Sequence, residues 1–91
     1  MKNWEFSFSH LSIKQKAFLK KNDPKGSERL NNILKSLRDN PRMGIGKPER
    51  LKYKEQEMWS RRLDKKNRVI YEIHEIENLI VVVSCMGHYE D

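Results

Sequence analysis

The chain has 91 residues, 36% hydrophobic and 35% charged, with a net charge of +6. That length predicts one domain spanning 1–91 with a modest core, and a single cysteine, Cys85, excludes an intramolecular disulfide and fits a reducing compartment. No apolar run approaches the roughly 20 residues of a membrane span, and the N-terminus lacks the layout of a signal peptide, so a soluble cytoplasmic protein is expected.

Trp4, Phe6 and Phe8 alternate with Glu5 and Ser7, which predicts a first strand over residues 3–8. Ser9 is placed to cap a helix from His10 to Lys21, with Leu11, Ala17 and Phe18 among its apolar positions. Asp23-Pro24 supplies a cap followed by proline in the first helical turn. Leu30, Ile33, Leu34 and Leu37 then recur at helical spacing along one face, and Asn40-Pro41 ends that helix. Gly44, Gly46 and Pro48 mark a loop.

An extended segment is expected to start at Leu51-Lys52-Tyr53. A strand follows from Met58 to Leu63, with Trp59 and Leu63 on one side. Residues 64–67 form a turn, Arg68 to His74 a strand, and Leu79 to Val83 an apolar run expected as the central strand. The class predicted is α+β, in the order β-α-α-β-β-β, with two helices packed on one face of a mostly antiparallel sheet.

Charge is unevenly placed. Residues 42–68 carry ten Lys/Arg against four Asp/Glu, and residues 69–91 carry none against five. A polyanionic partner accounts for such a stretch; so does a solvated basic surface. No Cys/His spacing suits zinc, no carboxylate pair suits magnesium, and no glycine-rich loop suits a nucleotide phosphate, so no metal or cofactor is expected.

The basic stretch and the C-terminus contain four runs in order: Gly46-Lys47-Pro48-Glu49-Arg50-Leu51-Lys52, Trp59-Ser60-Arg61-Arg62, Arg68-Val69-Ile70-Tyr71, and His88-Tyr89. They supply a carboxylate, several cations, and an imidazole beside a phenol. Those are the groups needed to cleave RNA without a metal. A carboxylate takes the proton of a 2′-hydroxyl, an imidazolium protonates the leaving 5′-oxygen, and guanidinium groups hold the phosphate as charge builds. Singly, each has an ordinary reading. Glu49 alone is a salt-bridged loop residue, Arg68 a strand-edge cation paired with Asp64 or Glu72, and His88 a surface histidine like His10 and His74. Trp4 and Trp59 read as core or strand residues rather than base-stacking platforms. Arg61 and Arg62 are consecutive, so in a regular strand they face opposite ways.

The four runs, in this order and spacing, resemble the YoeB/Txe branch of the RelE superfamily, ribosome-dependent mRNA endonucleases of bacterial toxin–antitoxin pairs. The resemblance is close over 46–89 and rests on length and the strand–helix–helix pattern before that. It implies the active site on the sheet face away from the helices. It implies Glu49 as general base, Arg68 as the group holding the scissile phosphate, and Lys52 and Arg62 as phosphate ligands. Lys47 and Arg61 complete the cationic RNA-binding set, with Arg61 expected on the surface. His88 is implied as general acid, with Tyr89 orienting the leaving group or scissile nucleotide. The chain departs from the family pattern in continuing with Glu90-Asp91 after the His-Tyr pair, and in carrying Gly87 where relatives often have a larger residue.

The partners implied are a YefM/Axe-like antitoxin with an acidic C-terminal segment, the 30S A site with its mRNA, operator DNA together with the antitoxin, and a possible homodimer, with no membrane. A rival expectation is a non-catalytic binder on the same fold, either a gyrase inhibitor or an operator-binding corepressor, which would not need Glu49, Arg68 and His88 together. A structural RNA-binding protein of the ribosome is a third, in which His88-Tyr89 would be idle.

Overall fold

The computed structural model describes residues 3–87. Strand β1 (Glu5–Phe8) leads into helices α1 (His10–Asn22) and α2 (Pro24–Asp39), and then into β2 (Glu49–Arg50), β3 (Met58–Arg62), β4 (Arg68–His74) and β5 (Leu79–Ser84). The sheet order is β1-β5-β4-β3-β2. β1 runs parallel to β5, and every other neighbour is antiparallel. The α+β class and the mostly antiparallel sheet are as expected. The apolar run is interior, between β1 and β4, but the middle of the five strands is β4. Among the described residues no helix is long and apolar enough to cross a membrane.

Local chemistry sets the two helices. The Ser9 side chain accepts from the Ser12 N–H at 3.0 Å and donates to the Val83 carbonyl at 2.6 Å, so one residue both caps α1 and ties it to β5. Asp23 caps α2 by accepting from the Gly26 N–H at 3.0 Å, ahead of Pro24 at its start. The α2 stripe is buried as the spacing predicts: Leu30, Ile33, Leu34 and Leu37 all lie in the core. Each contributes about 1.5–3 kcal/mol from burial.

Helix α1 covers the expected residues with the expected Ser9 cap, but its apolar positions are not its buried ones. Leu11 and Phe18 are each 53% exposed and Ala17 is exposed, while Ser12 and Leu19 are the buried positions. A hydroxyl occupies the inner face because it is satisfied locally. Ser12 Oγ donates to the Ser9 carbonyl at 2.9 Å.

The core lies between the helices and one sheet face. Val69, Tyr71 and Ile73 of β4 and Ile80 and Val82 of β5 point into it, joined by Trp4 and half-buried Trp59. Cys85 is buried there too, and burial pushes its thiol up to about 11, so it stays neutral at physiological pH.

Between β2 and β3 the extended segment is displaced from its expected start. Pairing begins at Glu49 and ends with the Leu51 N–H on the Met58 carbonyl at 2.9 Å. The chain then turns away at Tyr53, whose φ is +60°.

Candidate active site

Strand alternation assigns the faces. On β3, Trp59 and Arg61 point toward the helices, so Met58, Ser60 and Arg62 lie on the opposite face. The register carries that parity to both neighbours. Ser60 stands opposite Ile70 on β4 and opposite Glu49 on β2, and Arg62 stands opposite Arg68. Glu49, Arg62 and Arg68 therefore share the sheet face away from the helices. Leu51 and Ile70, both buried, lie on this face outside the helix-side core.

Generic strand spacings put the Glu49 and Arg68 Cα atoms about 12 Å apart, two strands over and one side-chain repeat along. A glutamate and an arginine span that interval with a phosphate between them. Among the described residues Glu49, Arg62 and Arg68 form no ion pair with one another. Glu49 and Arg62 are exposed and Arg68 is half-buried, so the face is open to an anion. Lys47 is exposed at φ +50°, just ahead of Glu49, and Lys52 is exposed just beyond it.

The C-terminal side is anchored beside Arg68. The Arg68 N–H donates to the Gly87 carbonyl at 3.0 Å, and the Gly87 N–H donates to Asn67 Oδ1 at 2.8 Å. Asn67 is fixed in turn by Asp64, whose carboxylate accepts from the Lys66 and Asn67 N–H groups and from Asn67 Nδ2 at 2.7–3.1 Å. Burial alone would raise the Asp64 pKa, but those hydrogen bonds more than offset it and hold the carboxyl below its usual range. His88 and Tyr89, expected as acid and orienting group, lie outside the described residues. So do Glu90 and Asp91.

Arg61 corrects an expectation. It is not a surface cation for RNA or a partner but is fully buried, at 0% exposure. Its Nε donates to Tyr71 Oη at 3.1 Å. Nη1 donates to Ser36 Oγ at 2.7 Å and the Ile45 carbonyl at 3.2 Å, and Nη2 donates to the carbonyls of Asn40 at 2.7 Å and Met43 at 3.0 Å. Tyr71 Oη donates in turn to the Pro41 carbonyl at 2.7 Å. The opposite-face reading of Arg61 and Arg62 holds, and Arg61 takes the helix side.

Beside it, Arg42 holds Glu57 by a two-pronged contact at 2.9 and 3.0 Å, and Glu57 also accepts from Trp59 Nε1 at 2.8 Å. The Arg42 guanidinium is the main reason the Glu57 carboxyl sits below its ordinary range. Sequence reasoning singled out neither the Arg42–Glu57 pair nor the Asp64–Asn67–Gly87 chain. Only the second left a trace, an Asp-x-x-Asn turn of the kind that ties its own backbone. Among the described residues no group of three or more His, Cys, Asp or Glu side chains could hold a metal ion.

Two helices packed on a five-stranded, mostly antiparallel sheet is the fold of RelE and YoeB structures. The chain of that fold in an archaeal RelE–RelB complex from Pyrococcus horikoshii OT3 matches with a TM-score of 0.74 at 16% identity, a likeness of fold alone. The family described as "YoeB-like toxin of bacterial type II toxin-antitoxin system" matches residues 8–89. The chain is 34% identical to a Toxin YoeB of Synechocystis sp. over 86 residues, which cover 94% of this chain and 98% of that one. Solved structures of a Staphylococcus aureus YoeB dimer and of a heterotetrameric YoeB–YefM complex match with TM-scores of 0.85 and 0.81. Each is 33% identical and covers 96% of this chain and 99% of its own. The chain belongs to the YoeB toxin family.

Proposed function

We propose that this toxin is an endoribonuclease that cuts mRNA in the ribosomal A site and so stops translation in the cytoplasm. The observation that carries this reading is the strand register, which gathers Glu49, Arg62 and Arg68 on the open sheet face, with Gly87 hydrogen-bonded to the Arg68 backbone. Glu49 takes the proton of the 2′-hydroxyl at the scissile nucleotide. The 2′-oxygen attacks the adjacent phosphorus, and Arg68, with Lys52 and Arg62, stabilises the charge on the phosphoryl oxygens. Lys47 contributes to RNA binding. His88 protonates the departing 5′-oxygen, and Tyr89 orients it. The products are a 2′,3′-cyclic phosphate, or the 3′-phosphate it opens to, and a 5′-hydroxyl. No step is assigned to a metal.

The regulatory partner in this reading is an antitoxin of the YefM kind, whose acidic C-terminal segment covers the basic face and which joins the toxin on operator DNA. The Staphylococcus aureus YoeB–YefM complex and YoeB dimer support an antitoxin and a second copy as partners. Incubation with programmed ribosomes, followed by mapping of mRNA ends, tests the activity. Cleavage is expected with natural mRNA and abolished by one 2′-deoxy substitution at the scissile nucleotide. Undiminished cutting of the deoxy substrate would exclude attack by the 2′-oxygen.

A further inference from the structure

We infer that Arg61 is a positioning residue that sets Glu49 against Arg62 and Arg68 by pinning residues 40–46 from beneath the sheet; this rests on the catalytic role proposed for Glu49. Arginine carries five N–H donors, and all five are used here. No carboxylate is among the acceptors. Such a buried cation needs compensation from dipoles. Asn40, the C-cap of α2, offers its carbonyl at 2.7 Å, so the negative end of the helix dipole faces the guanidinium. The carbonyls of Met43 and Ile45 add to it. Three of the five acceptors are carbonyls of segment 40–45, so the buried guanidinium ties that segment under the sheet.

The loop is shaped to this contact. A Cβ at Gly44, where φ is +135°, would fall on Ser36 Oγ and within 2.8 Å of Arg61 Nη1. At Gly46, where φ is +82°, a Cβ would meet the Arg62 carbonyl at 3.0 Å and Arg61 Cβ at 3.1 Å. The Arg62 N–H then catches the Gly46 carbonyl at 2.6 Å. Two consecutive residues of β3 therefore divide the work. Arg61 draws the loop down on the helix side, and the Arg62 backbone fixes its end while the Arg62 side chain lies on the open face. Glu49 follows three residues later and pairs with Ser60. Lysine cannot replace this fork, because its three donors radiate from one nitrogen.

The test uses the full chain. Ser36→Ala removes one partner of Arg61, and Tyr71→Phe removes another together with the hydrogen bond to the Pro41 carbonyl, so each is assayed below its own unfolding midpoint. Arg61→Ala and Arg61→Lys remove the fork. Cleavage on programmed ribosomes should show kcat down by about 10²-fold in Arg61→Ala, as expected for a small misplacement of a reacting group, with KM changed by less than about twofold. Tyr71→Phe should show an intermediate loss. Millimolar guanidinium should restore part of the Arg61→Ala rate and raise its unfolding temperature, and it should do neither in wild type. Arg61→Lys should remain impaired.

Hydrogen exchange supplies a readout independent of activity. The amides of Glu49 and Leu51 should exchange faster in Tyr71→Phe, with those of α1 unchanged. Full kcat in folded Tyr71→Phe and Arg61→Lys, or unchanged exchange at Glu49, would overturn the inference. A wild type that cuts no RNA, together with the expected exchange pattern, would remove the proposed reaction and leave the pin standing.

Discussion

Arg61 and Arg62 show how one peptide bond separates two fates. Both are cations in a basic stretch, and neither composition nor charge distinguishes them. Alternation along β3 sends one under the helices and leaves the other on the open face. That they diverge is legible in the sequence. Which one is buried is not, because the acceptors around Arg61 are loop carbonyls and two hydroxyls, groups that any sequence supplies. The carboxylate and cations of the open face were legible only through their order in four runs. Their proposed roles make a prediction at this scale. Glu49→Gln, Arg68→Ala and His88→Gln should each lose about 10²–10⁴ in cleavage rate. Glu49 is exposed and Arg68 half-buried, so unfolding midpoints of those two variants should stay close to wild type. His10→Gln and His74→Gln should change the rate little. A full rate in His88→Gln would move the acid role to another group.

Both helices are legible in extent and cap, but only α2 shows its buried face, for a physical reason. The α2 leucines and isoleucine fall on one stripe, and packing follows the stripe. The apolar residues of α1 are spread around its axis, and the buried face is chosen by the cap, since Ser9 binds β5 and turns Ser12 and Leu19 inward. Leu19→Ala should therefore cost about 2–5 kcal/mol. Phe18→Ser, on the exposed side, should stay within about 0.5 kcal/mol, measured by denaturant unfolding.

The loop after α2 adds a pH dependence. Glu57 has a folded pKa below its ordinary value, chiefly through Arg42. Its contribution is present in full above the ordinary carboxylate value of 4.5, and it is lost as pH falls through the lower folded value. The stability gap between wild type and Glu57→Gln should hold from neutrality down to the ordinary carboxylate value of 4.5 and shrink as pH falls below it. A gap that widens in acid would reverse the assignment.

At the scale of the molecule, one side of the proposed site comes from the middle of the chain and the other from the residues after β5, and one turn joins them. Glu49 arrives through β2, while the residues after β5 arrive at Gly87, whose N–H is held by Asn67 and whose carbonyl is held by the Arg68 N–H. Asn67 can do this because Asp64 folds the β3–β4 turn around it. The fold thus uses the turn between its two site-bearing strands to hold the segment that precedes His88. Gly87 has φ +89°, a backbone conformation that favours glycine, and among the described residues nothing lies within 4 Å of where a Cβ would be. Asn67→Ala removes the hydrogen bond to Gly87 and the side-chain contact with Asp64, but leaves the Arg68–Gly87 backbone bond. Each lost hydrogen bond costs about 1 kcal/mol, so the variant should remain folded with a modestly lower midpoint. If His88 acts beside Arg68, cleavage should fall further than that loss of stability explains, by about tenfold or more at a temperature where the variant is fully folded. His88→Gln in the Asn67→Ala background should then cost less than it does in wild type, because the two changes damage the same placement. Strict additivity of the two rate losses would separate the turn from the acid and leave Asn67 a purely stabilising residue.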